Sequence, residues 1–185
     1  MYNRYCTLTG TFENRIQETD IVEILTYPDP FLKKKAEGVT EFTEELRKTV
    51  ADMLEQMYLY KGIGLASMQV GIPERLFVLD ISSEKDNPII IINPVITERS
   101  SSREPFEEGC LSVPGIRENI VRPEELHLKW QDIDGTEHEK DFGGLEARVI
   151  QHEFDHLNGT LFIDRLGYLK KILLKKHLRK LRGDA

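Results

Sequence analysis

Phe42, Leu46, Val50, Met53, Leu54 and Met57 recur at helical spacing. That stripe predicts one amphipathic helix, capped by Thr40 or Thr43 and ended before Gly62 and Gly64. The pattern then changes to short runs of branched residues between turn formers. RLFVLDI, IIIINPVI, ENIVRPE and LHLKW read as strands. Pro123 marks an edge or a break, because it has no N–H to give a ladder. A second helical stripe, Leu145, Val149, His152 and His156, opens after Gly143-Gly144 and stops at Asn158-Gly159. Before all of these, ILTYPDP from Ile24 predicts a short extended piece stopped by Pro28 and Pro30. In the last periodic segment, residues 169–182, Leu169, Ile172, Leu173, Leu174, Leu178 and Leu181 interleave with bases.

Strands in the middle with helices before and after predict a mixed α+β fold in one compact domain, without repeats or an internal linker. The division is a polar N-terminal extension (1–20), a body (21–168) and a basic amphipathic C-terminal helix and tail (169–185). The 185 residues, 39% hydrophobic and 31% charged, suffice for a real core. The longest all-aliphatic run is Ile89–Ile92, far short of the roughly 20 apolar residues of a membrane span. MYNRYCTLTG shows no basic region followed by an apolar one, so no secretory signal is expected and the cytoplasm is the default. Two cysteines give no disulfide framework.

Charge changes the picture at one end only. Residues 169–182 hold seven Lys or Arg and no acid, whereas the first 168 residues balance at −13 within a net charge of −7. The body should repel nucleic acid, and no stable nucleic-acid complex is expected; the tail could attract a polyanion.

The candidate chemistry lies in the second helical stripe. His152 and His156 are four residues apart, so both imidazoles can reach one metal ion, and Glu153 can act as a base toward a water there. Two hydrogen-bonded core histidines are the plain alternative. Catalytic sites usually have three protein ligands and an open position. Cys110, beside Gly109 in EEGCLSVPG, is the best third candidate; Cys6, His127 and His138 are alternatives. Asp155 is either a hydrogen-bond partner for a ligand imidazole or an ordinary surface carboxylate. A Cys–His–His set makes a weaker Lewis acid than three imidazoles, which favours an ion with accessible higher coordination such as Fe(II). GIGLASMQ adds glycines for close backbone approach and the Gln69 amide as an oxyanion donor.

Taken in order, GIGLASMQ (Gly62–Gln69), EGCLSVP (Glu108–Pro114) and QHEFDHLNG (Gln151–Gly159) closely resemble the three signature motifs of the peptide deformylases. YPDP at Tyr27–Pro30 and GLEAR at Gly144–Arg148 extend the similarity over about residues 22–168. The resemblance implies removal of the N-formyl group from the formylmethionine of nascent polypeptides, with release of formate. It implies metal ligation by Cys110, His152 and His156, acid–base work by Glu153, oxyanion donation by the Gln69 side chain and the Leu111 N–H, and substrate approach at Gly64. It further implies Fe(II) as the usual ion, with zinc, nickel or cobalt able to occupy the site. The implied fold is a small α+β domain of antiparallel strands around a central helix carrying both histidines. Some relatives of this kind dock on the ribosome through a basic C-terminal helix. One departure is Ser67, where the family's first motif usually has alanine; a buried hydroxyl there needs a partner. A methionine pocket lined by Ile63, Ile116 and Val149 is expected. The rival readings are a metallopeptidase cutting internal bonds and a metal-stabilised binding module.

Overall fold

The computed structural model describes residues 23–181; the N-terminal extension (1–20) and Cys6 lie outside the described residues. The first helix, α1, runs Glu44–Leu59, with Thr43 Oγ1 accepting from Leu46 N at 3.3 Å as its cap. Glu44 and Glu45 in its first turn suit the positive end of the helix dipole. Phe42 precedes the helix. The apolar face is Leu46, Val50, Met53 and Met57, all buried, with successive spacings of four, three and four.

Five strands make one antiparallel sheet in the order β1 (Gly64–Ala66), β2 (Leu76–Leu79), β3 (Ile89–Arg99), β6 (Glu125–Gln131), β7 (Glu137–Gly143). A separate two-stranded hairpin pairs β4 (Arg103–Cys110) with β5 (Val113–Pro123). Helix α2 (Gly144–His156) follows β7 and α3 (Tyr168–Leu181) closes the described chain.

The run LFVL explains how the layers stack. Side chains alternate along a strand, and here both faces are covered: Leu76 and Val78 pack with α1, while Phe77 and Leu79 pack with the α2 residues Ala147, Val149 and Ile150. All four are fully buried, which is why the strand reads as a continuous apolar run. Toward the other edge the alternation is one-sided. Leu126 and Leu128 of β6 face the core, but in β7 only Phe142 is buried. That polarity hid β7 from hydrophobic patterning, and the charged segment REPFEEGC hid β4 in the same way. The very short β1 was concealed by its glycine.

Helix α2 is central, in contact with β1, β2 and β7 and also with β5 of the hairpin. It is buried on nearly every side despite carrying Arg148, Gln151, His152, Glu153, Asp155 and His156. Charged residues are almost never fully buried unless paired, so this helix demands a polar network. Gly159 ends the region at φ 68°, where an added Cβ would come 2.4 Å from Lys33 O. Only glycine fits that turn. In α3, Leu174 and Leu178 pack toward the Leu32, Val113 and Phe162 cluster, while Tyr168, Leu169, Ile172 and Leu173 stay exposed. No helix among the described residues is long and apolar enough to cross a membrane.

Candidate active site

One turn of α2 separates His152 from His156, and their rings lie 5.1 Å apart. Cys110 reaches them from the end of β4, at a register shift in the hairpin between Gly109 and Cys110. Its Sγ is 3.2 Å from His156 Nε2, and the three potential donor atoms of Cys110, His152 and His156 all fall within 4.8 Å of one another. Of the alternatives, His127 sits on Asp141 and His138 on Asp132, away from this cluster.

His152 Nδ1 bonds Glu108 Oε2 at 2.9 Å, which leaves its Nε2 for the cluster. Glu108 thus holds the ligand ring; sequence reasoning had offered Asp155. Asp155 instead is buried, accepting from Arg122 Nη1 at 2.7 Å and from Arg165, so it is neither a partner of the imidazoles nor a surface carboxylate. Arg122 is the centre of this missed network: its Nε and Nη2 donate to Glu108 at 2.6 and 2.8 Å. Arg148 adds a fourth donor to Glu108, after the two of Arg122 and the His152 ring, and also satisfies Ile120 O and Glu104 O. A signal for Glu108 was present, since it stands two residues from Cys110 along one extended strand. Nothing local marked Arg122.

Glu153 lies beside the cluster, and the space for its carboxylate is made by Gly64. A Cβ on Gly64 would come 2.6 Å from Glu153 Oε1 and 2.8 Å from Val149 Cγ1. Burial pushes the Glu153 carboxyl up to about 7, partly offset by His152 and Arg122. Its Oε2 is buried without a hydrogen-bond partner in the protein. Burial also opposes charge on Glu108, but Arg122 and His152 overcome it and hold the carboxyl down at about 2. Two nearby carboxyls are thereby set apart, one an anion at neutral pH and the other able to exchange a proton near neutrality.

Gln69 stands beside Cys110 in the lining of the same cleft. Its Oε1 accepts from Ala66 N at 2.8 Å, and its Nε2 lies 3.5 Å from Cys110 Sγ. Leu111 is in the tight turn between β4 and β5, with its side chain against the α1 core. Ser67 is fully buried, and its hydroxyl donates to Glu74 O at 2.5 Å, so the polar group has its partner. Gln69, Cys110, Leu111, His152 and Glu153 open on a cleft of about 1060 Å³ whose walls also include Ile63, Gly64, Ile116, Leu145 and Val149.

The residues fit a transition-metal ion. A thiolate with two imidazoles is a soft donor set suited to zinc or iron. His152 is oriented by Glu108, and Glu153, with one oxygen unpartnered, lines the same cleft as Cys110 and His152. A divalent-metal site built on Cys110, His152 and His156 is present.

Known proteins share this arrangement. The profile of the family described as polypeptide deformylase matches residues 21–171. A peptide deformylase of Acidobacterium capsulatum is 51% identical over 161 residues, covering 85% of this chain and 94% of that protein. Among solved structures, a peptide deformylase from Plasmodium falciparum superposes with a TM-score of 0.83 at 42% identity, covering 88% of this chain and 96% of that one. Another from Legionella pneumophila gives 0.82 at 42% identity, covering 87% and 95%.

Proposed function

The chain belongs to the polypeptide deformylase family, and on that premise we propose that it hydrolyses the N-formyl group of nascent polypeptides beginning with formylmethionine. The products are formate and a free amino terminus. The observation that carries this reading is Glu153: a buried carboxylate oxygen without a partner, beside a Cys–His–His donor set whose cysteine also meets a side-chain amide.

A divalent ion held by Cys110, His152 and His156 would act as a Lewis acid on the formyl carbonyl and make water acidic enough to attack at neutral pH. Glu153 takes the proton of the attacking water on its carboxylate; a value near 7 suits that exchange. The Gln69 amide and the Leu111 N–H donate to the oxygen that gains charge as the carbonyl carbon becomes tetrahedral. Glu153 then passes its proton to the departing amine, and the C–N bond breaks. Ile63, Ile116 and Val149 offer apolar surface to the methionine side chain, worth about 25 cal/mol per Å² buried. Gly64 lets the substrate backbone come close where any side chain would strike Glu153.

Fe(II) is the resident ion in this reading, since higher coordination accommodates substrate beside three protein ligands; zinc, nickel or cobalt can stand in. The enzyme works in the cytoplasm, where formylated chains emerge. The basic tail supplies a transient contact with ribosomal RNA, supported by seven bases without an acid in residues 169–182. Formate release from formyl-Met-Ala-Ser by anaerobically prepared Fe(II) protein tests the activity. Turnover on the formyl peptide with none on its unformylated counterpart is expected. Cleavage of an internal bond, or a folded and metal-loaded protein without turnover, would overturn the reading.

A further inference from the structure

We infer that Ser112 is a positioning residue that holds the Gln69 carboxamide with one N–H directed at the reacting carbonyl, an inference that rests on the deformylase reading above. Both residues are buried, Ser112 at 0% and Gln69 at 2% exposure. The Ala66 N–H can only donate, so its 2.8 Å bond identifies the oxygen end of the Gln69 carboxamide. The nitrogen end then meets Ser112 Oγ at 3.2 Å and lies 3.5 Å from Cys110 Sγ.

The two hydrogens of an amide nitrogen diverge in a rigid plane. When Ser112 accepts one, the other turns toward Cys110, the side on which a formyl oxygen would gain charge. Without that acceptor the amide plane keeps the Ala66 bond and only the long contact to the soft Cys110 sulfur, so its nitrogen end is held far less firmly. An oxyanion donor works because it is aimed before the charge develops.

The backbone is arranged to the same end. Leu25 N donates to Gln69 O and Tyr27 N donates to Ser112 O, both at 2.7 Å. Alternate N–H groups of one extended segment therefore fix the spacing of the two residues. The ILTYP stretch thereby spans the first and second motifs and sets how far Gln69 stands from Ser112.

The test uses metal-loaded Ser112→Ala, which keeps the space and removes the acceptor. Losing a whole oxyanion donor costs about 10²–10³ in kcat, so a misaimed one is expected to cost about tenfold, with KM, metal content and Tm little changed. In a Gln69→Ala background the same substitution is expected to cost nothing further. Equal losses in both backgrounds, or an unchanged kcat in the otherwise unsubstituted enzyme, would overturn the inference. A folded Ser112→Thr protein, which keeps the hydroxyl, should retain most of the rate; one as slow as Gln69→Ala would also overturn it.

A readout without turnover separates this inference from the activity itself. In the zinc-loaded protein the Gln69 side-chain amide, identified by its loss in Gln69→Ala, should exchange its protons at least several-fold faster in Ser112→Ala. Unchanged exchange would overturn the role of Ser112 whether or not formate is released. Absent formate release with accelerated exchange would overturn the deformylase reading and leave the positioning contact standing.

Discussion

Glu108 Oε2 lies 2.9 Å from His152 Nδ1, so a carboxylate in the Cys110 strand orients a histidine 44 residues farther along the chain. The same carboxylate takes two bonds from the buried Arg122, whose remaining nitrogen reaches Asp155 on the helix of the histidines. Hairpin and helix are thus joined by charge-assisted hydrogen bonds immediately behind the metal site.

Glu108→Gln is expected to weaken metal binding about 10- to 100-fold, the usual cost of losing the group that orients a ligating imidazole. Competition with a chelator measures it. Glu108→Ala should do more, leaving Arg122 short of its buried partner and destabilising the fold by about 3–5 kcal/mol. Its unfolding midpoint in urea should drop well below that of the glutamine variant.

Acid should expose the same network. The Glu108 carboxyl is held at about 2, below its ordinary 4.5. A depressed carboxyl contributes fully above its unfolded value, and that contribution is lost as pH falls from about 4.5 through 2. Urea midpoints between pH 6 and pH 2.5 should therefore fall more steeply for the unsubstituted protein than for Glu108→Gln. Parallel slopes would assign the acid sensitivity to other groups.

Glu153→Ala is expected to lose about 10²–10⁴ in kcat, the span attributed to a general acid–base group, with its metal content intact. Metal analysis beside the formate assay separates the two roles. Loss of both metal and rate would instead place Glu153 among the ligands.

Gly64→Ala puts a methyl group 2.6 Å from Glu153 Oε1. Overpacking of this kind costs about 1–3 kcal/mol, and relief requires the carboxylate or Val149 to move. Lower Tm and lower kcat should appear together, with metal affinity preserved.

Removal of residues 168–185 should abolish salt-sensitive co-sedimentation with ribosomes and leave turnover on short formyl peptides in place, because the site residues lie on other elements. Exposed Tyr168, Leu169 and Leu173 beside the basic residues give this helix a surface to lose. Binding that is unchanged at two salt concentrations would remove the tail from the contact.

The sequence made the histidine pair legible because four-residue spacing on a helix is a local property; α1 was legible from its apolar period and β2 from its unbroken apolar run. Cys110 could be nominated from its glycine neighbour and joins the other two in one cluster. The strands β4 and β7 were not legible, since one lies in an exposed hairpin and the other buries only Phe142. Asp155 was misjudged for a related reason: its partners, Arg122 and Arg165, come from a hairpin strand and the short 3-10 helix Phe162–Arg165, which local spacing does not bring to the helix. Long-range pairing of charges leaves no periodic trace in the chain.

The hairpin shares no ladder hydrogen bonds with the five-stranded sheet. What moors it beside the helix includes Cys110, Glu108 and Arg122, the groups that assemble and brace the ion site. An ion bound there is therefore also a rivet between two separately hydrogen-bonded pieces of the molecule. Stripping it should loosen the wall of the cleft as well as silence the chemistry.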